Sequence, residues 1–342
     1  MNIHILLAII ILVFHMFYVS TDSKVIKNIF WYIGCFLIWL IVGFRSSTTG
    51  SDTIGYVGTF QYLSRFSFSQ IGLLDYRDLG YYYLNKLLSM VSVSQLWFLT
   101  STAFLSLIGL FDVVKRNAVK PLLTLFFYIT IGNYLFILTG IRQAIAMSMC
   151  MLSVRYIQNR KLIPFIIFVC LGALCHKSAL IFIPTYFLSH RKINVKNLLI
   201  TATIVLIGVL FYSQLLDIVN MLLGYEYGIE EIDNGVIFYM VIIIVIILGW
   251  LTKREWIKND EQIAIMNMGI IAMAIWTFRL IGRTAERPSM YWLNFIPLVL
   301  SNSLGAIKNK SDYVFLIFIA VCCSMLLFTT RLVGAEYAFY WQ

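Results

Sequence analysis

Apolar stretches of about 15 to 20 residues recur from Ile3 to Phe328, each closed by a short polar stretch, and this repetition restricts the chain more than any other feature. Within hydrocarbon a backbone must satisfy its own hydrogen bonds, so each run is expected to be a helix. In order the runs are Ile3–Val19, Ile29–Phe44, Gln95–Val113, Pro121–Leu138, Ala144–Val154, Leu162–Cys175 and Ala179–Leu188. Leu198–Leu216, Val236–Leu251, Ile263–Phe278, Tyr291–Leu304 and Tyr313–Phe328 follow. Some fall short of about 17 residues, so their helices must borrow flanking polar residues or slant beside protein-lined regions. Composition agrees: 12% of residues are charged, against about a quarter in soluble domains. The expectation is an all-α polytopic membrane protein with about 12 transmembrane helices, forming one domain over residues 1–342.

The first run has no basic segment before it and no small-residue cleavage site after it, so it reads as a retained span. All six cysteines fall inside apolar runs without metal-like spacing, and read as small membrane-facing hydrophobes.

The net charge of +10 is distributed over many short loops, which gives no reason to invoke a nucleic-acid partner. Alternate loops carry Lys24 and Lys27; Lys115, Arg116 and Lys120; Arg155, Arg160 and Lys161; Arg191, Lys192 and Lys196; Lys253, Arg254 and Lys258; and Lys308 with Lys310. By the positive-inside rule that face is cytoplasmic, which places both termini outside. The opposite face receives Arg45, Arg65, Arg77, Lys86, Arg142, Lys177, Arg279, Arg283, Arg287 and Arg331. Eight of these ten are arginine, the side chain suited to bidentate oxyanion recognition, whereas topology alone is served by lysine.

Two outer loops are long, 45–94 and 217–235, the second with an acidic cluster of Glu226, Glu230, Glu231 and Asp233. In the first, Tyr56, Phe60 and Leu63 follow helical spacing, as do Leu84, Leu87, Leu88 and Val91, which predicts two amphipathic helices at the outer interface.

Arg142 with Gln143 stands between apolar runs, where an arginine is costly unless paired, functional or snorkelling to the interface. Arg279, Arg283 and Arg287 recur every fourth residue. A continuous helix would align them on one face, with Glu286 as the one internal countercharge, and a diphosphate would neutralise them; Pro288 would end or kink that helix. His176 at a span boundary is a proton acceptor or a structural imidazole, and Asp52 is a base or an ordinary helix N-cap. Asp75 and Asp78, with an arginine between them, make a weak metal pair. Neither a phosphate-cradling glycine loop, a zinc pattern nor a serine elbow occurs, so no cofactor and no resident metal is expected. Outer tyrosines, including Tyr56, Tyr62, Tyr76, Tyr81, Tyr82, Tyr83, Tyr225 and Tyr227, stack on sugars or anchor the interface.

Arg45 followed by Gly50-Ser51-Asp52-Thr53, Tyr56 and Phe60, then Gly140-Ile141-Arg142-Gln143-Ala144 and His176-Lys177-Ser178-Ala179, resembles the EpsG family of Wzy-type polysaccharide polymerases. Ala285-Glu286-Arg287 with Tyr291 continues the likeness across nearly the whole chain. Asp78-Leu79-Gly80-Tyr81 departs from it, since glutamate and proline are expected before Gly-Tyr. The resemblance implies a metal-independent glycosyltransferase of C-type architecture acting on undecaprenyl-diphosphate-linked oligosaccharides at the outer face of the bacterial cytoplasmic membrane, alongside a chain-length regulator and a flippase. It implies Arg142, Asp52 and His176 as catalytic groups. Arg45, Tyr56, Asp78, Gln143, Lys177, Arg279, Arg283, Arg287 and Tyr291 are expected to bind substrate. Direct displacement would invert the transferred carbon, with Asp52, then His176, then Asp78 preferred as base. The rivals are an O-antigen ligase, a lipid-linked saccharide flippase and a structural assembly subunit. No repeat relates the two halves, and the charged motifs gather on one face, both of which speak against a flippase.

Overall fold

The computed structural model describes residues 2–74, 78–223, 235–333 and 336–342. Helices carry the described fold, with one isolated antiparallel bridge between Arg45 and Phe339. Spans α1 (Ile3–Ser20) and α2 (Lys24–Gly43) lead into three helices of the first long loop, α3 (Thr53–Leu63), α4 (Phe68–Gly72) and α5 (Leu79–Ser89). Next come α6 (Gln95–Asn117), α7 (Pro121–Thr130), α8 (Tyr134–Ile137), α9 (Ile141–Gln158) and α10 (Leu162–Cys175). A 3-10 turn, Lys177–Phe182, joins α11 (Thr185–Leu188) to α10, and α12 (Val195–Leu210) runs into α13 (Tyr212–Leu223). The chain finishes with α14 (Val236–Trp256), α15 (Asp260–Arg279), a 3-10 turn Arg283–Ala285, α16 (Glu286–Leu293), α17 (Ile296–Gly305) and α18 (Lys310–Arg331).

Among the described residues six helices are long and apolar enough to cross a bilayer, namely α1, α2, α6, α14, α15 and α18. A seventh is added if α12 and the start of α13, bent by 82°, count as one span. The remaining apolar runs take other forms. Pro121–Leu138 breaks after ten helical residues, and Tyr291–Leu304 breaks at Asn294 and Phe295. The two breaks meet: Asn133 Nδ2 donates to Met290 O (2.8 Å) and to Asn294 Oδ1 (3.0 Å). Arg331 donates to Thr130 O and Gly132 O, covering carbonyls that α7 leaves without a helical partner. Broken helices are tolerated at membrane depth where protein encloses the freed backbone, and every residue of α7 is buried.

Serine and asparagine side chains at Ser23, Ser94, Asn194, Asn259 and Asn309 accept from the first turns of α2, α6, α12, α15 and α18, which fixes where those helices begin. α9 packs between α6 and α10. The α6–α9 contact is close because Gly109 lacks a Cβ, which would fall 2.1 Å from Ser148 O, and its N–H donates to Ser148 Oγ. Of the cysteines, Cys35, Cys150 and Cys175 are buried in the protein, and Cys170, Cys322 and Cys323 face outward.

The lysine-rich loops are drawn together by contacts at one end of the bundle. Arg116 bonds Asp112 and Gln158, Arg155 bonds Asp112, Arg160 bonds Asp260 and Lys308 bonds Glu255. The arginine-bearing segments and both described termini lie at the other end, where His4 near the start of α1 meets Tyr337 edge-on at 5.2 Å.

Candidate functional site

At that second end α3 and α5 pack on the tips of α6, α9 and α10. Val57, Phe60, Tyr81, Phe98, Ile141 and Ile145 close an apolar cluster there, and Phe60 stacks on Phe98 at 4.6 Å. The buried face of α5 is Tyr81 with Asn85, flanked by Leu84 and Leu88, whereas Leu87 and Val91 are exposed, so the apolar face is rotated from the one the spacing predicts. Entry into α3 is fixed by Gly50 at φ +89°, where a Cβ would lie 2.1 Å from Leu138 O. Thr53 Oγ1 then donates to the same carbonyl (2.9 Å). These constraints aim Asp52 and Tyr56 at the N-terminus of α9.

The result is a polar chamber of about 550 Å³. Asp52, Tyr56, Arg142, Gln143, His176, Arg283 and Arg287 all line it, together with Ser51, Thr139, Thr284 and Glu286. Three guanidiniums face two carboxylates, and Glu286 is already bonded by Arg279 Nε at 2.9 Å. The wall therefore carries surplus positive charge and an array of N–H donors, the combination that recognises phosphate oxygens.

Asp78 is the hinge of this wall, although only 2% exposed. Its carboxylate accepts from Arg142 Nη1 (2.9 Å) and from the backbone N–H of Lys177 (3.3 Å), and His176 Nδ1 lies 3.5 Å away. Burial pushes this carboxyl up, but the approach of His176, the charge of Arg142 and the Lys177 N–H outweigh it and hold the group below the ordinary carboxylate range. Asp78 thus fixes two chamber-lining side chains from behind. Arg142 also lies over the Tyr56 ring, 5.9 Å from its centroid.

Asp52 occupies the N-cap position of α3 but makes no capping bond; its exposed carboxylate accepts from Ser51 Oγ (3.0 Å) and faces the chamber. Gln143 Nε2 donates to Arg287 O (2.6 Å), tying α9 to α16. Tyr291 is buried behind the chamber with its hydroxyl 2.9 Å from Ser178 Oγ, and Lys177 contributes its backbone rather than a lining side chain. Arg45 is 1% exposed and stands apart from the chamber, donating to Val42 O beside the bridge to Phe339. Burial lowers its guanidinium to about 10.

The three spaced arginines do not share one helix face. α15 ends at Arg279, extended Gly282 redirects the chain, and Arg283 and Arg287 belong to the next turn and to α16. Pro288 sits in the first turn of α16, where its missing N–H costs nothing, and so starts that helix rather than ending it. Arg279, 3% exposed, instead lines a second chamber of about 340 Å³, with Trp276, Phe238, Leu293 and Arg331. The two chambers share Phe136, Arg283, Glu286 and Met290. Arg331 was identifiable in the sequence only as one more outer cation. Asp75, Tyr76, Arg77, Tyr225, Tyr227 and the acidic cluster Glu226, Glu230, Glu231 and Asp233 lie outside the described residues.

A family model described as the EpsG family matches residues 28–341, nearly the whole chain. No curated protein and no solved structure matches.

Proposed function

This chain belongs to the EpsG family of Wzy-type, polysaccharide polymerase-like membrane proteins, and from that premise we propose that it joins undecaprenyl-diphosphate-linked oligosaccharide repeat units into a polysaccharide. The observation that carries the reading is the convergence of Arg142, Arg283, Arg287, Asp52 and His176, from four separate segments, on one chamber. The lysine-rich loops, gathered at the end opposite the chamber, support a reaction at the outer face of the bacterial cytoplasmic membrane, with both termini outside. About twelve passes are completed by the short, broken and bent helices beside the six long ones, in a C-type glycosyltransferase arrangement. A flippase supplies the lipid-linked repeats, and a chain-length regulator acts on the product.

In the proposed step, a hydroxyl of one lipid-linked repeat attacks the anomeric carbon of the chain carried on undecaprenyl diphosphate. The new glycosidic bond forms as the bond to the diphosphate breaks, and the electron pair leaves on the lipid diphosphate. Asp52 takes the hydroxyl proton, a role worth roughly 10² to 10⁴ in rate; His176 is the next choice. Asp78 is assigned to positioning, since its carboxylate is enclosed by Arg142 and the Lys177 N–H. Arg142, Arg283 and Arg287 stabilise the leaving charge without a metal ion, each donor contributing about 10² to 10³. One displacement inverts the transferred carbon, which linkage analysis against the donor configuration checks.

The test is expression of wild type and Arg142→Ala in a host deleted for its matching polymerase, with surface glycan and lipid-linked intermediates resolved on gels. The expected result is a ladder from wild type and single repeats from Arg142→Ala at equal protein level. Equal ladders remove Arg142 from the mechanism, and no ladder from wild type points to a flippase or a ligase.

A further inference from the structure

A third chamber, of about 470 Å³, opens on the far side of α8. It shares Ser51 and Thr139 with the polar chamber and Arg331 with the second chamber, so the three adjoin around residues 134–139. Its chemistry differs from both. Thr48, Thr49, Ser51 and Thr139 give it four hydroxyls, while Arg331 and Glu336 bring opposite charges. A wall of balanced charge does not select an anion, in contrast to the second chamber, where three arginines accompany one carboxylate and an aromatic and aliphatic wall.

The three threonine hydroxyls are oriented. Thr48 Oγ1 donates to Ser46 Oγ (3.0 Å), Thr49 Oγ1 to Ala338 O (3.2 Å) and Thr139 Oγ1 to Phe136 O (3.1 Å). A hydroxyl has one proton and two lone pairs, so each keeps acceptor capacity after these bonds, even Thr49, which also accepts from Ala338 N–H. His4, 1% exposed, adds a ring fixed by the Tyr134 hydroxyl (2.8 Å) and by edge contacts with Tyr134 and Tyr337. Fixed acceptors over a small apolar floor of Leu135 and Leu138 suit a ligand with many hydroxyls and C–H faces.

We propose that this third chamber is a glycan subsite, holding sugar residues of the repeat-unit chain beyond the reacting linkage. This rests on the polymerase reading above and adds a direction to it. The glycan reaches the polar chamber past Thr48 to Ser51, and the lipid diphosphate reaches it from the opposite side, past Arg279 and Arg283.

The test uses purified full-length protein in bilayers. Oligosaccharides of one and three repeat units, freed of lipid by mild acid from the polymer that wild type makes, serve as inhibitors of polymerisation. The three-unit inhibitor is expected to be about ten-fold more potent than the one-unit inhibitor on wild type, a ratio that fixed hydrogen bonds to a few sugar hydroxyls supply. Thr48 is exposed, so Thr48→Trp fills the chamber without disturbing the core, and it is expected to bring that ratio to about one. Thr48→Val, which keeps shape and removes the hydroxyl, is expected to lower the ratio about three-fold and carries the test if Thr48→Trp melts early. Equal potency of the two inhibitors on wild type, or a ratio unchanged in both variants, overturns the subsite and leaves the polymerase reading standing. A wild type that makes no polymer overturns the polymerase reading and the subsite with it.

Discussion

The two ends of the bundle use their cations differently. At the lysine-rich end the cations tie helix tips together in exposed pairs, such as Arg160 with Asp260 (2.8 Å) and Lys308 with Glu255 (2.8 Å). Water and salt screen such exposed pairs, so they contribute little to stability. At the other end Arg45 and Arg279 are buried, and Arg142, Arg283 and Arg287 line a chamber. An arginine taken out of water costs free energy unless its donors are used. Positive-inside topology would call for the cations of the first end, and the proposed anion site would call for those that line the chamber at the second.

The contrast breaks most visibly at Arg142. Arg142→Ala is expected to lower the polymerisation rate by about 10² or more, while Arg155→Ala, on the same helix at the lysine-rich end, leaves it within about two-fold. Quantified ladders from matched membranes check the pair. If both substitutions depress the rate equally, the ends are not functionally distinct.

Asp78→Asn comes next. It keeps the shape but removes the charge that holds Arg142 and His176, so the rate is expected to fall about ten-fold, with Asp78→Glu restoring part of it. The pH dependence follows from the depressed carboxyl. The pairing is fully present above the ordinary carboxylate value of about 4, and is lost as pH falls through the lower folded value. Thermal melting between about pH 3 and 6 should therefore separate wild type from Asp78→Asn at the upper end and bring them together at the lower.

Gly50→Ala is expected to cost more than about 1 kcal/mol, because alanine disfavours positive φ and its Cβ would meet Leu138 O. It should also reduce activity by displacing Asp52. Normal activity in Gly50→Ala would show that the approach to α3 need not be held so tightly. The smallest effect belongs to the lysine-rich end, where Arg160→Gln should shift stability by at most about 1 kcal/mol, read from a melting curve.

Much of the fold was legible because apolar runs are local signals. The breaks were not. Pro121–Leu138 reads as one run, and only the bonds from Asn133 to Met290 and Asn294, residues 157 and 161 positions away, and from Arg331 to the carbonyls near Gly132, make an interruption tolerable. The site was legible as a set of residue types and less so as an arrangement. Asp52 reads as a helix cap yet makes no capping bond, and Asp78 reads as half of a weak metal pair yet holds Arg142, His176 and the Lys177 N–H, which lie 64 to 99 positions away. The spacing of Arg279, Arg283 and Arg287 suggests one stripe, but periodicity holds only while the helix does, and α15 ends at Arg279.

The most direct measurement takes purified protein in bilayers with an undecaprenyl-diphosphate-linked repeat and follows polymer and released lipid diphosphate together. The account predicts a ladder from wild type with one lipid diphosphate released for each linkage formed, and unextended repeats with Arg142→Ala. Unconsumed repeats with folded wild type, or matching ladders from both proteins, would contradict it.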